Sequence, residues 1–144
     1  MSSTPLPSPS DTPAPTRGAG EQRRRQVMGD VFVDRALSAA DAFSRPLQQY
    51  VNEHAWGSTW LRDGLDLKQR SLCTVAMLAA LGRSQELKGH LRGALNNGAT
   101  LLELREVLLH VAPYAGAPAA IEAFRAAREW LAEQGLSIDD LPDT

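Results

Sequence analysis

The side chains best suited to proton transfer in this sequence are its three histidines, His54, His90 and His110. Glu86 precedes His90 by four residues, so on a helix the two side chains share one face. A carboxylate beside an imidazole raises the pKa of the imidazole and favours its protonated form, which can donate a proton. The spacing by itself nevertheless favours a more ordinary interpretation, because exposed pairs of this kind are frequent and contribute little.

Two arginines are placed where they could join this pair. Arg83 lies about one helical turn before Glu86, and Arg70 belongs to the preceding helical segment, which a turn at Gly82 folds back. A guanidinium can bind a carboxylate through two parallel hydrogen bonds. The two segments could therefore present a cation, a carboxylate and an imidazole to one cavity.

Two other groups of aromatic and histidine side chains carry weaker signals. His54 lies with Trp56 and Trp60 in the segment HAWGSTW, which could line a pocket but is more simply interpreted as a plug at the end of a bundle. His110 and Tyr114 are four residues apart, and a single histidine at such a place is typical of a structural residue.

Metal and hydrolase chemistry find little support in the sequence. Glu86 and His90 could supply two metal ligands, but the sequence contains no HExxH motif and no neighbouring cluster of Cys or Asp. It also lacks the G-x-S-x-G elbow of a serine hydrolase. The single cysteine, Cys73, excludes an internal disulfide and a CxxC redox pair, and we expect it to be buried in the middle of a helix. We therefore expect no metal site.

The composition favours one globular domain. The chain has 144 residues, 43% of them hydrophobic, with 15 basic against 17 acidic side chains and a formal charge of −2. This balance gives no electrostatic footprint for nucleic acid or for an anionic membrane surface. The longest apolar stretch, residues 72–81, is far shorter than a bilayer span. We expect a cytoplasmic protein.

The chain divides into a tail and a folded part. Residues 1–22 are rich in Pro, Ser, Thr, Gly and Ala, and apart from Met1 their only large apolar residue is Leu6. Such a segment cannot bury enough surface to offset the entropy lost on ordering, so we expect it to be disordered and residues 23–144 to form the domain.

The folded part has helical periodicity throughout, which predicts an all-α fold. We expect a short helix at residues 24–28, and longer helices over residues 31–43, 46–54, 67–81, 84–96, 100–110 and 118–134. Asp66, Ser84 and Thr100 are the expected N-caps, and Gly82 and Gly135 the expected stops. Short connections between helices of this length favour an antiparallel bundle.

Four longer segments follow one another within roughly residues 27–130: HAWGSTWLRDGL, RSLCTVAMLAALGR, ELKGHLRGALNNGAT and EVLLHVAPYAGAPAA. In their residues and their order, these segments resemble the carboxymuconolactone decarboxylase family. The resemblance implies the helical fold that this family shares with the alkylhydroperoxidase D proteins. Those peroxidases carry CxxCxxxH, whereas residues 83–90 here keep only the histidine, and the peroxidases' acidic residue falls on Ser71. A thiol peroxidase is therefore excluded.

The resemblance implies a cofactor-free carboxy-lyase of the β-ketoadipate pathway of aromatic breakdown, in its protocatechuate branch. The substrate would be 4-carboxymuconolactone, and the products β-ketoadipate enol-lactone and carbon dioxide. It also implies a homo-oligomer, with a hexamer expected. Such a protein would have a small-molecule lactone dicarboxylate as its partner, and no nucleic acid or membrane.

The resemblance also suggests roles for the candidate residues. His90, held by Glu86, would be the general acid or the oxyanion partner, and Arg70 with Arg83 would bind the substrate's retained carboxylate. Trp56 and Trp60 would provide apolar surroundings for the departing carboxylate, and His54 and Tyr114 would line the pocket. Two alternatives remain open: a relative that decarboxylates or isomerises another lactone or β-keto acid, and a non-catalytic binding subunit of the same fold.

Overall fold

The computed structural model describes residues 17–144, and of Arg17 it describes the backbone alone. The tail predicted for residues 1–16 lies outside this described part. The first helix, α1 (Arg17–Met28), already includes residues 17–22, which the sequence assigned to the tail.

The N-terminal half of the described chain is made of short helical segments. After α1 come α2 (Asp30–Ser38) and α3 (Arg45–Tyr50), which continues directly into a π-helical turn, Val51–Trp56, and a 3₁₀ turn, Thr59–Leu61. The helix predicted over residues 31–43 is thus too long. The carboxylate of Asp41 accepts hydrogen bonds from the backbone N–H groups of Phe43 and Ser44, and this turn replaces the last helical turn.

Four longer helices follow, and their bounds are close to the predicted ones. They are α4 (Leu67–Leu81), α5 (Ser84–Asn96), α6 (Leu101–Ala115) and α7 (Ala117–Gln134). Asp66 with Gln69, and Thr100 with Glu103, form complete capping boxes. Ser84 is not an N-cap as predicted, because the residue in that position is Arg83, which makes no side-chain capping bond.

Helix α6 runs past its predicted end at His110 and through Pro113. A proline removes one N–H donor, and near a helix end this loss can be tolerated. With no strand among the described residues, the all-α prediction is confirmed.

The helices pack around two clusters of buried apolar side chains. The larger cluster lies among α4, α5, α6 and α7 and includes Leu87, Leu91, Leu108 and Trp130. The smaller cluster joins α1 and α2 to the π-helical and 3₁₀ turns through Val27, Met28, Val33, Trp56 and Trp60. Helix α1 also contacts α5, so it links the two clusters. None of the described helices is both long enough and apolar enough to cross a membrane.

Two glycines allow α1 to pack closely on its neighbours. A Cβ atom built on Gly20 would lie 1.8 Å from the backbone oxygen of Asn52 in the π-helical turn. A Cβ atom on Gly93 of α5 would lie 3.2 Å from side-chain atoms of Met28 and Val27. The absence of a side chain at these positions brings α1 against both elements, and these elements carry the candidate site.

Candidate active site

The cavity that contains His90 lies between α1, the π-helical turn, α4 and α5. It has a volume of about 330 Å³ and is lined by Arg24, Met28, Phe32, Val51, Ala55, Trp56, Trp60, Thr74, Glu86 and His90. Four predicted site residues, His90, Glu86, Trp56 and Trp60, are therefore brought together. The cavity combines apolar walls with a few convergent polar groups, as ligand sites do.

Three rings stack along one wall of this cavity. The centroids of Trp56 and Trp60 are 4.7 Å apart, and the ring of Trp56 is parallel to that of His90 at a centroid distance of 6.1 Å. Both tryptophans are buried. The HAWGSTW segment is therefore part of the cavity wall, so the pocket alternative applies to its tryptophans and the bundle-end plug does not.

The imidazole of His90 is held in a desolvated position. Its Nδ1 atom is buried and has no hydrogen-bond partner among the described residues. Burial, and after it the nearby charge of Arg24, lower the pKa of His90 to about 4, although Glu86 acts in the opposite direction. The expectation of a protonated imidazole is thus wrong for the free protomer, because burial and Arg24 outweigh the carboxylate. His90 is neutral at pH 7.

Arg24 is the charged residue of this cavity that the sequence analysis did not single out. Its side chain is buried, and Nη1 donates hydrogen bonds to Oε1 of Gln48 at 2.9 Å and to Oδ1 of Asn52 at 3.0 Å. Nε is buried without a partner in the described part of the chain. Burial is the main cause that lowers the pKa of Arg24, but a guanidinium stays charged at neutral pH.

The sequence around Arg24 hides its role. It is the middle residue of an Arg-Arg-Arg run next to the Pro-rich tail, and such a run is typical of a solvated surface. The available signal is helical spacing, since Gly20, Arg24, Val27 and Met28 recur on one face of α1 and all four are buried.

The two predicted arginines do not line this cavity. Nη2 of Arg70 donates to the backbone oxygen of Arg62 at 3.1 Å, and its Nε is buried with no partner that the structure describes. Arg83 is the exposed N-cap of α5. The expected convergence of Arg70 with Glu86 and His90 is therefore not found, and Arg24 is the cation beside them.

The remaining candidates also lie elsewhere. The side chain of His54 is 53% exposed and its ring lies 4.7 Å from that of Tyr50, so the π-helical turn directs Trp56 inward and His54 outward. His110 and Tyr114, with ring centroids 5.2 Å apart, line a separate open groove of about 680 Å³ between α4 and α6. Cys73 also lines this groove and is exposed, contrary to the expected burial.

Potential metal ligands lie apart from one another in the described part of the fold. Within residues 17–144, no three His, Cys, Asp or Glu side chains come together in an arrangement that could hold a metal ion.

Comparisons with known proteins give one family match and two closely similar named relatives. The sequence profile of the Carboxymuconolactone decarboxylase family matches residues 45–129, which include the π-helical turn and α4 to α6. The chain is 48% identical over 104 residues to the nitrosuccinic acid decarboxylase npaB of Metarhizium robertsii, covering 72% of this chain and 73% of that protein. It is 42% identical over 118 residues to the 4-carboxymuconolactone decarboxylase of Acinetobacter baylyi, covering 82% of this chain and 88% of the relative. The chain therefore belongs to the carboxymuconolactone decarboxylase family.

Proposed function

We propose that this protein is a carboxy-lyase that converts 4-carboxymuconolactone to β-ketoadipate enol-lactone and carbon dioxide, in the protocatechuate branch of the β-ketoadipate pathway. The 42% identity to a relative of that name over most of both chains supports this substrate. The observation that carries the proposal is the cavity in which His90, a buried guanidinium and two tryptophan rings converge.

The proposed reaction uses the lactone itself as the electron acceptor. The bond between the ring carbon and the departing carboxylate breaks, and its electron pair moves through the ring double bond onto the lactone carbonyl oxygen. The resulting dienolate takes one proton on the carbon next to the lactone carbonyl and becomes the enol-lactone. Because the lactone accepts the electrons, the reaction needs no cofactor; the protein must supply charge stabilisation and one acid.

His90 is the proposed proton donor, and Glu86 lines the same cavity on the same helix. The imidazole is neutral in the free protomer. A bound substrate that carries two carboxylates adds negative charge beside the ring, which offsets Arg24 and favours protonation of His90. His90 then transfers to carbon the proton that each turnover consumes.

The other residues have simpler proposed roles. Trp56 and Trp60 give the departing carboxylate an apolar surface, which disfavours its charged form and so favours its loss. We assign binding of the retained carboxylate to Arg70 and Arg83. Neither arginine lines the cavity, so the substrate must extend beyond the cavity to reach them. His54 and Tyr114 stay proposed pocket residues, and both are exposed in the protomer.

Self-association is part of the proposed function. The groove between α4 and α6 exposes large apolar side chains, with Met77 62% and Tyr114 82% accessible. Apolar surface of this kind is typical of a protein contact. We propose that a second copy of the chain covers it in a homo-oligomer, with a hexamer as the expected assembly.

Decarboxylation of nitrosuccinate is the second candidate function. The 48% identity to npaB favours it, and the chemistry is related, because a nitro group on the carbon that loses carbon dioxide can accept the electron pair as a lactone does. Another lactone or β-keto acid, or ligand binding without turnover, are further outcomes of the same assay.

The test is a turnover assay on purified, metal-stripped protein with freshly prepared 4-carboxymuconolactone. Loss of the lactone is followed by ultraviolet absorbance, and carbon dioxide is measured in parallel. We expect equal amounts of lactone consumed and carbon dioxide released, and faster turnover than with nitrosuccinate. Turnover of nitrosuccinate alone would contradict the proposal that 4-carboxymuconolactone is the substrate. Binding without release of carbon dioxide would contradict the proposal that the protein is a decarboxylase.

A further inference from the structure

Two neighbouring arginines on α1, Arg24 and Arg25, have different partners: Arg25 bonds carboxylates, whereas Arg24 bonds neutral amide oxygens. Arg25 donates to the carboxylates of Glu21, Asp30 and Asp34 at 2.8 to 3.3 Å. These bonds, that of Asp34 above all, raise the pKa of Arg25. Its positive charge is therefore neutralised where it stands, near the surface, as in an ordinary ion-pair network.

Arg24 is more deeply buried than Arg25, yet its hydrogen-bond partners among the described residues are neutral. Nη1 is held by the amide oxygens of Gln48 and Asn52, and Nε has no partner among residues 17–144. Two carboxylates act on the region without a hydrogen bond to Arg24: Glu21, which bonds Arg25, and Glu86, which lines the cavity and is exposed. Burying a cation against neutral groups is unfavourable, and such an arrangement is typical of a site that binds an anion.

The position of Arg24 relative to His90 indicates which anion it meets. The two side chains line one cavity, and the charge of Arg24 is felt at the imidazole. In the proposed reaction, the carbon that takes the proton is bonded directly to the lactone carbonyl carbon. A group beside the proton donor is therefore also beside the oxygen on which negative charge develops.

We propose that Arg24, positioned by Gln48 and Asn52, stabilises the oxyanion that forms when the departing carboxylate's electron pair reaches the acceptor group of the substrate. This inference rests on the proposed function and adds the residue that meets the developing charge. A lactone and a nitro group both become delocalised oxyanions, so the same guanidinium would serve either substrate. The family profile begins at residue 45, so Arg24 precedes it, whereas Gln48 and Asn52 lie within it.

The sharpest test is Asn52→Asp, a change of nearly the same size that keeps a hydrogen-bond acceptor against Nη1. The added carboxylate neutralises the guanidinium without removing it, so the fold should be retained while oxyanion stabilisation is lost. We expect kcat to fall about 100-fold or more, with KM changed less than about threefold, as for removal of an oxyanion donor. Arg24→Gln should show the same pattern, and Arg24→Lys a partial loss. The matched control is Arg25→Gln, which should keep the wild-type kcat.

Two kinetic results would overturn the proposal. An Asn52→Asp variant with wild-type kcat would show that the charge of Arg24 is not used in the reaction. A raised KM with unchanged kcat would assign Arg24 to the retained carboxylate, because that interaction is equal in the ground state and the transition state.

A binding measurement separates this inference from the proposed substrate. Tetronate is a five-membered lactone ring with a delocalised oxyanion, and 2(5H)-furanone is its uncharged counterpart. By titration calorimetry, we expect the wild-type protein to bind tetronate more tightly, and Asn52→Asp and Arg24→Gln to lose that preference by about tenfold or more. Failure of the wild type to prefer tetronate would overturn the inference. If the wild-type protein does not turn over the lactone, loss of the tetronate preference in the two variants would still support an anion site at Arg24. That result would refute only the proposed function.

Discussion

At the scale of single residues, the environment of His90 reverses what its sequence neighbours suggest. The pair Glu86 and His90 predicts a protonated imidazole, but burial and Arg24 lower the pKa of His90 from 6.5 to about 4. Each pKa unit corresponds to about 1.4 kcal/mol, so the two opposing effects differ by roughly 3 kcal/mol in favour of the neutral ring. The proton donor of the proposed reaction must therefore be charged by substrate binding.

Replacing His90 tests its role in turnover. If His90 transfers the proton to carbon, His90→Gln should lower kcat about 100-fold or more, because glutamine keeps hydrogen bonding but has no transferable proton. The measurement is steady-state kinetics with the lactone, with helical circular dichroism to verify folding. Near-normal turnover would move the proton transfer to another group, of which His54 is the sequence-based candidate.

The lowered pKa of His90 predicts that the stability of the protein changes with pH. In the unfolded chain a histidine has a pKa of about 6.5, and in the folded protein that of His90 is about 4. Between these pH values the unfolded state binds more protons than the folded state. The contribution of the neutral His90 to the free energy of unfolding is therefore fully present above about pH 6.5 and is lost as the pH falls toward 4. The charged groups that line the cavity with His90 are Arg24 and Glu86.

We expect wild-type protein to lose about 2 kcal/mol more free energy of unfolding than His90→Gln between pH 7.5 and 4.5. Urea denaturation at both pH values measures this difference, and the other titrating groups are common to the two proteins. Parallel losses in wild type and variant would contradict a depressed pKa at His90.

Arg70 offers a test of the retained-carboxylate site. If its guanidinium binds that group, Arg70→Lys should raise KM about tenfold with little change in kcat, because the two-bond geometry is lost in both ground and transition states. Arg35, an exposed arginine on α2, is the control for loss of a guanidinium. Unchanged KM in Arg70→Lys would leave Arg70 with its observed role, the hydrogen bond to the backbone oxygen of Arg62.

At the scale of elements, the π-helical turn decides which side chains reach the cavity. The sequence predicts one α-helix over residues 46–54, whereas the structure changes to π-helical hydrogen bonding from Val51 to Trp56. In this turn Asn52 and Trp56 are buried while His54 points to solvent. π-Helical turns are frequent at functional sites, and this one supplies both a partner of Arg24 and a ring beside His90.

The contact between α1 and this turn can be tested at Gly20. A Cβ there would lie 1.8 Å from the backbone oxygen of Asn52, so Gly20→Ala must displace one of the two elements. We expect a loss of about 1–3 kcal/mol in stability by urea denaturation, together with reduced turnover because Arg24 moves away from the cavity.

Gly18 provides the matched control on the same helix. A Cβ there meets no atom of the described residues within 4 Å, so Gly18→Ala should be neutral or stabilising, since alanine has the higher helix propensity. Equal stability of Gly18→Ala and Gly20→Ala would contradict the close packing of α1 on the π-helical turn.

At the scale of the whole molecule, the two clusters of buried side chains hold different sets of helices together. The α4 to α7 cluster forms the core of the bundle, and the smaller cluster holds α1, α2 and the π-helical turn together, while α1 packs on α5. The site lies where these two parts meet, with His90 from the bundle and Arg24 from the attached layer. The exposed groove between α4 and α6 is a separate surface, proposed here as a contact between copies.

A charge placed in that groove should disrupt the proposed assembly. Met77→Glu adds a carboxylate to an exposed apolar side chain, so we expect smaller species by size-exclusion chromatography with light scattering, at unchanged helical content. Gln26→Glu introduces the same charge at an exposed position of α1 and should leave the assembly intact. An unaltered mass for Met77→Glu would place any contact between copies on another surface.

The sequence by itself determined the features that depend on nearby residues. Helical periodicity predicted the all-α fold, the capping boxes at Asp66 and Thr100 marked helix starts, and Gly82 and Gly135 marked helix ends, because these signals act within one or two turns. The spacing of Glu86 and His90 likewise placed the two side chains on one face of a helix, and the motifs identified the family.

Only the tertiary structure decided which distant groups join them. Arg24 and Asn52 are 28 residues apart, and they meet because Gly20 lets α1 lie against the π-helical turn. Arg70 is closer to His90 in sequence but lies outside the cavity lining. The charge state of His90 followed from burial, which depends on packing between elements and therefore cannot be read from the spacing of residues along one helix.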